Sequence, residues 1–171
     1  MGGLSTKRAL TVKPPPLCFQ VMLAGPLALP VDVDALPWAT FYPGIDIKLL
    51  HASEATASYT VLARFAPGTL LPKHRHFGEV QAYTLSGSWH YKEYEWEARA
   101  GSLVYEQPGA THTLHVADDA TEPAIILFVV TGGMALLTDE DDVFMLEDVR
   151  AMRDRYAETL RDAGVEVPSI P

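Results

Sequence analysis

The chain has 171 residues, 48% of them hydrophobic, enough for one self-sufficient core and short for two. Charged residues make up 20%, an ordinary globular share that argues against wholesale disorder. The formal charge of −9 speaks against a nucleic-acid or anionic-membrane partner, which it would repel, and otherwise serves solubility.

Residues 1–16 end in Pro14, Pro15 and Pro16 and read as a loose arm or an extended edge segment. Cys18 is the only cysteine, which excludes a disulfide framework or thiolate cluster within one chain and fits a reducing, cytoplasmic compartment. The apolar stretch Leu17–Pro30 is short for a membrane span and is broken by Pro26. With the irregular run to Leu36 and the aromatic group Trp38, Phe41 and Tyr42, residues 1–44 are expected to wrap and cap a core.

From Ile45 the pattern changes to the two-residue period of half-buried strands: Ile45, Ile47 and Leu49, then Tyr59, Val61, Ala63 and Phe65, stopping at Pro67-Gly68. Val80–Leu85 follows, then a hairpin of Trp89–Tyr91 with Tyr94–Trp96 around Lys92-Glu93. Leu103–Tyr105, Thr113–Val116, Ile125–Val130 and Met134–Leu137 complete a series of short strands. This spacing predicts an all-β antiparallel barrel or sandwich over residues 45–140. In residues 141–171, from about Leu146, apolar residues at Val149, Met152, Tyr156 and Leu160 recur at helical steps. They predict one C-terminal α-helix packed on the barrel, with Glu147 and Asp148 near its start and Gly164 past its end.

His74 and His76 are two apart, which on a strand puts both imidazoles on one face, roughly 6–7 Å apart at the backbone and within reach of one metal ion. His112 comes from a distant strand and supplies a third direction. A single histidine is more often structural than ligating; the pair after a glycine-led turn, with a later Pro108-Gly109 turn ahead of His112, is far more specific. His51, His90 and His115 are set aside as ligands, and Arg75, between the pair, is expected to point outward.

Gly68, His74, His76 and Gly87, with Gly101, Gly109 and His112, resemble the two signature motifs of the cupin superfamily across residues 45–137. The resemblance implies a double-stranded β-helix, or jelly-roll, barrel. It departs at one position: the motif glutamate falls at Val80. Glu79 is one residue away, and a one-residue slip turns a strand side chain to the opposite face. The site therefore reads as three histidines, with Glu79 at the surface or behind the ligands. The wording from His74 to Trp96, and from Tyr105 to Leu114, resembles the 2,4'-dihydroxyacetophenone dioxygenases, and the acetylacetone dioxygenases are similar cupins.

These resemblances imply a non-haem Fe(II) centre on His74, His76 and His112, although zinc and nickel bind the same imidazoles. They imply dioxygenase chemistry, cleaving a C–C bond next to a carbonyl in an aryl α-hydroxyketone, with O2 and this small carbonyl compound as partners. Such a ketone can chelate a divalent ion through two oxygens, and the ion favours its enolate. Glu106, six residues before His112, is implied as the base or the orienter of a ligand histidine; it reads equally as an exposed carboxylate on a barrel rim. Val80, Tyr83, Trp89, Tyr91, Tyr94 and Trp96 are expected to line or flank the substrate site, although a core role is the commoner one for each aromatic. Two other classes are carried: a zinc-binding sensor domain like the cupins of some anti-sigma factors, and a non-oxidative cupin isomerase or lyase. An edge strand and the N-terminal arm, paired across a two-fold, would give a homodimer or homotetramer.

Overall fold

The computed structural model describes residues 28–171, of which Val31–Pro171 form one compact unit. The expected N-terminal arm, the proline run and Cys18 lie outside the described residues. Among the described residues, twelve strands make two six-stranded antiparallel sheets. They are β1 (Ala39–Tyr42), β2 (Ile45–Ser53), β3 (Ser58–Phe65), β4 (Leu70–His76), β5 (Val80–Ser86), β6 (Ser88–Tyr91), β7 (Ala98–Arg99), β8 (Leu103–Glu106), β9 (Thr111–His115), β10 (Ala124–Thr131), β11 (Met134–Leu137) and β12 (Val143–Glu147). One sheet runs β1-β2-β3-β10-β5-β8 and the other β12-β11-β4-β9-β6-β7.

The two-residue period decides which side of each strand enters the core. On β3 it buries Tyr59, Val61, Ala63 and Phe65; on β5 it buries Val80, Ala82 and Thr84 and leaves Gln81, Tyr83 and Leu85 exposed. The chain changes sheets between β5 and β6 at Gly87, whose φ is +68° and where a Cβ would stand 2.5 Å from the Pro123 carbonyl oxygen. A side chain fits neither the dihedral nor the space, so the motif glycine is a corner.

The single described helix, α1 (Val149–Asp162), buries Val149, Met152, Tyr156, Ala157 and Leu160 against the first sheet, next to β1 and β2. Asp148 caps it by accepting from the backbone N–H groups of Arg150 and Ala151, both at 2.9 Å. The Tyr156 hydroxyl donates to the Pro37 carbonyl at 2.6 Å and Arg155 Nη2 to that of Phe41 at 2.7 Å, which fixes the helix to the start of the barrel.

Three local expectations need correction. The second arm of the expected hairpin, Tyr94–Trp96, is not a strand: the chain turns after Tyr91, and β6 pairs with β7 instead. The alternating aromatics are spent on ring contacts, with Trp96 5.5 Å from Tyr91 and 5.7 Å from Trp89, both edge-on. The helix does not begin at Leu146, because Val143–Glu147 pairs with β11 as β12. The sheets also extend beyond 45–140 at both ends, through β1 and β12. No described helix is long and apolar enough to cross a membrane.

Candidate metal centre

His74 and His76 lie on one face of β4, and His112 of β9 is paired directly opposite His74. All three are buried, at 2%, 5% and 1% exposure, and one ligand nitrogen from each lies within 4.8 Å of the others. Ring centroids are 4.9 Å apart for His74–His76, 4.7 Å for His74–His112 and 5.5 Å for His76–His112. His74 Nδ1 stands 2.8 Å from the Pro72 carbonyl, which can only accept, so Nδ1 carries the proton and Nε2 the free lone pair. The other histidines stand elsewhere: His90 and His115 face each other at 5.2 Å away from the cluster, and Arg75 is exposed, donating to Thr111 Oγ1.

Glu106 ends β8 with its carboxylate at the cluster, only 4% exposed. Its Oε2 is 3.2 Å from His76 Nε2 and 3.3 Å from His112 Nε2, while Oε1 accepts from the Tyr91 hydroxyl at 2.5 Å. In the β5–β8 ladder Glu106 is the cross-strand partner of Val80. The acidic position that the motif leaves empty on β5 is therefore filled from the neighbouring strand. Glu79 is exposed and bonded to the Tyr105 hydroxyl on the outside.

Burial sets the charge states. It holds the His74 imidazole well below its usual range, helped by His76 and His112 and opposed by the Pro72 carbonyl. It brings His76 down to about 4 against the opposing pull of Glu106, with His112 adding to the lowering. Burial alone would push the Glu106 carboxyl up, but His112, His76 and Tyr91 outweigh it and hold the group below its ordinary value. Burial, then the Glu106 charge, pushes the Tyr91 hydroxyl well above its ordinary value, so it stays a donor.

The residues fit a divalent ion on two observations. His112 Nε2 and Glu106 Oε2 are buried without a hydrogen-bond partner, a costly arrangement that a cation between them relieves. The imidazole donors converge and are neutral where burial has lowered them, the form in which histidine ligates.

Two spaces meet at the centre. An interior cavity of about 70 Å³, several times what one water needs, is bounded by His74, His76 and Tyr91 at this end and by apolar side chains such as Val61, Phe128 and Leu136 beyond. An open cleft on the other side is lined by Tyr94, Trp96, Tyr105, Glu106 and His112. Of the six residues expected at a substrate site, Tyr94 and Trp96 line the cleft and Tyr91 borders both spaces, its ring stacked on His112 at 3.5 Å and 6°. Trp89 is buried core, its indole N–H donating to Thr84 Oγ1 at 2.8 Å, and Val80 is buried behind Glu106. Tyr83 is 45% exposed on the outer face of β5, because three residues from Val80 is the wrong parity for the same face. Sequence reasoning missed Met134, Phe128 and Glu147 as cavity residues. For Glu147 a signal existed, a carboxylate directly after the apolar run Val143–Leu146.

The chain is similar in structure to an RmlC-like cupin protein from Ralstonia eutropha JMP134, with 30% identity, a TM-score of 0.75, and 81% of this chain and 90% of that one covered. A second protein from the same organism, described as of unknown function with a cupin-like fold, gives 27% identity and a TM-score of 0.76 over 86% and 98% of the two chains. An acetylacetone dioxygenase from Acinetobacter johnsonii shares the fold at 18% identity, with a TM-score of 0.67 over 93% of this chain and 99% of that one. No curated protein matches the sequence. The family model described as the ChrR cupin-like domain matches residues 28–135, and with the buried three-histidine cluster inside that span, the chain belongs to this cupin family.

Proposed function

We propose that the protein is a non-haem Fe(II) dioxygenase that cleaves the C–C bond between a carbonyl carbon and its neighbour in an aryl α-hydroxyketone. The observation that carries this reading is the pairing of a three-histidine cluster with one carboxylate held ionised beside it, Glu106. His74, His76 and His112 would hold the ion. When bound, the ion supplies a Lewis acid for the two substrate oxygens and a one-electron reductant for O2.

The remaining roles fall to the chain's own groups. Glu106 Oε2 faces the cluster and is free of other partners, so it can take the proton from the carbon next to the carbonyl. Tyr91 holds the other carboxylate oxygen, which fixes the direction of Oε2, and its ring keeps His112 in plane. The apolar side chains behind the cluster keep water from competing for the oxygen-reactive carbon. In the net reaction ArCOCH2OH and O2 give ArCOOH and HCOOH: the bond between the two oxygenated carbons breaks, and one oxygen atom of O2 ends in each acid.

Oxygen uptake by metal-stripped, Fe(II)-reloaded protein with 2-hydroxyacetophenones, beside the zinc-loaded protein, tests the reading. Iron-dependent uptake that His112→Ala abolishes is expected; no uptake with either metal overturns it. The ChrR description of the family model favours a second reading, a zinc-binding sensor module, which predicts tight zinc and no turnover.

A further inference from the structure

The parity that keeps His90 and His115 out of the buried centre brings them together on the other side of the sheet. On β6 the buried residues are Trp89 and Tyr91, and on β9 they are His112 and Leu114, so His90 and His115 stand half-buried on the outer face. They are direct cross-strand partners in the β6–β9 ladder. Such partners carry their Cβ atoms roughly 4.5–5.5 Å apart on one face. Their ring centroids are 5.2 Å apart with an angle of 89° between the planes. The ligand pair His74–His76 has nearly the same arrangement, 4.9 Å and 89°.

The surroundings tolerate a cation. Burial, then His90 and Lys92, hold the His115 imidazole below its usual range against the pull of Asp118, which leaves it neutral and able to ligate at neutral pH. Glu97, held low first by Ser88 and Arg99, also lies within electrostatic reach of His90. One carboxylate therefore stands near each imidazole. Glu97 is paired with Arg99 at 2.7 Å, so the two carboxylates offset Arg99 and Lys92, and the ligating is left to the imidazoles. Solvent reaches both rings and can fill the remaining positions around an ion.

We propose that His90 and His115 form a second, outward-facing site for a divalent transition-metal ion of the zinc, nickel or copper class. Two imidazoles make a smaller ligand set than the three of the buried centre, so this site is the weaker one and exchanges its ion with solvent. Mg2+ and Ca2+ are excluded because they take oxygen ligands. The site backs onto the buried centre. Tyr91 follows His90 in the chain and stacks on His112, which lies on the same strand as His115. An ion across the ladder ties together the two strands that hold this stacked pair.

Calorimetric titration of tag-free, metal-stripped protein with zinc and with Ni(II) tests the site. Wild type is expected to take up one weaker equivalent beyond any held by the buried histidines. His90→Ala and His115→Ala should each lose that equivalent and keep the tighter binding. His112→Ala should do the reverse, so failure of the outer site and failure of the buried centre are read separately. Mg2+ should give no binding at this site. Titration curves of both outer variants that superimpose on wild type overturn the proposal, as does an equivalent lost in one variant and kept in the other. His90→Gln, which keeps a polar side chain on the strand, should behave as His90→Ala. Melting curves taken without metal show that each variant is folded, and a single equivalent in wild type that survives His90→Gln overturns the proposal in the same way.

Discussion

Tyr91 touches the centre twice, through its ring on His112 and through its hydroxyl on Glu106. The hydrogen bond is buried and its acceptor is charged, the class whose loss costs about 1.5–3 kcal/mol. Tyr91→Phe keeps the stacked ring and deletes only the donor, so it separates the two contacts. Its effect should be a metal affinity or turnover reduced about 10–100-fold, with melting close to wild type, read by metal titration and oxygen uptake. Unchanged affinity and turnover would show that Glu106 needs no orienting. His74 and His76 were legible in sequence because two-residue spacing alone puts them on one face, whereas His112 was reached through the Pro108-Gly109 turn ahead of it and the motif resemblance, and only the β4–β9 pairing sets it opposite His74. That Glu106 stands opposite Val80 was not, since the register between β5 and β8 is set by which strands pair, and spacing along the chain does not record it. Tyr83 shows the converse: period two already forbade it the face of Val80, and the structure enforces that rule.

At the scale of elements, the motif glycines mark corners where the chain leaves one sheet for the other: Gly68 between β3 and β4, Gly87 between β5 and β6, Gly109 between β8 and β9. A signature that reads as chemistry is thus half architecture, which is why it placed the barrel as well as the ligands. The passage from β12 to α1 was less legible. Leu146 continues the helical stripe of Val149, Met152 and Tyr156, so periodicity pulled the helix start forward into a segment that β11 pairs as a strand. The true boundary is Asp148, whose carboxylate accepts two otherwise unpaired backbone N–H groups. Asp148→Ala should cost about 1 kcal/mol, and for a chain of this size lower the melting temperature by roughly 2–4 °C. Asp148→Asn or Asp148→Ser, which still cap, should recover most of it. A full loss in the capping variants would place the effect in the charge instead.

For the whole molecule, the buried imidazoles tie stability to pH. The unfolded chain protonates an ordinary histidine near 6.5, whereas folded His76 resists protonation until about 4. Between those values the unfolded state binds more protons, so stability contributed by the neutral ring is full above pH 6.5 and is lost as pH falls toward 4. For His76 that is about 3 kcal/mol, and His74 acts in the same direction. Glu106, held below its ordinary value, adds a further loss at more acid pH, where its proton is first taken up by the unfolded chain. A divalent ion opposes this decline because it binds the unprotonated ligands. At a hundredfold excess over its dissociation constant it adds about 2.7 kcal/mol, roughly 5–10 °C of melting temperature here. Melting curves of metal-free protein should therefore fall steeply between pH 6.5 and 4 and stay flat from 6.5 to 8, with a shallower fall in His76→Asn. Added metal should raise the plateau and lose its effect as the ligands protonate. The same slope in His76→Asn as in wild type would mean that acid attacks another part of the fold. A metal effect independent of pH would mean that the ion binds away from the histidines.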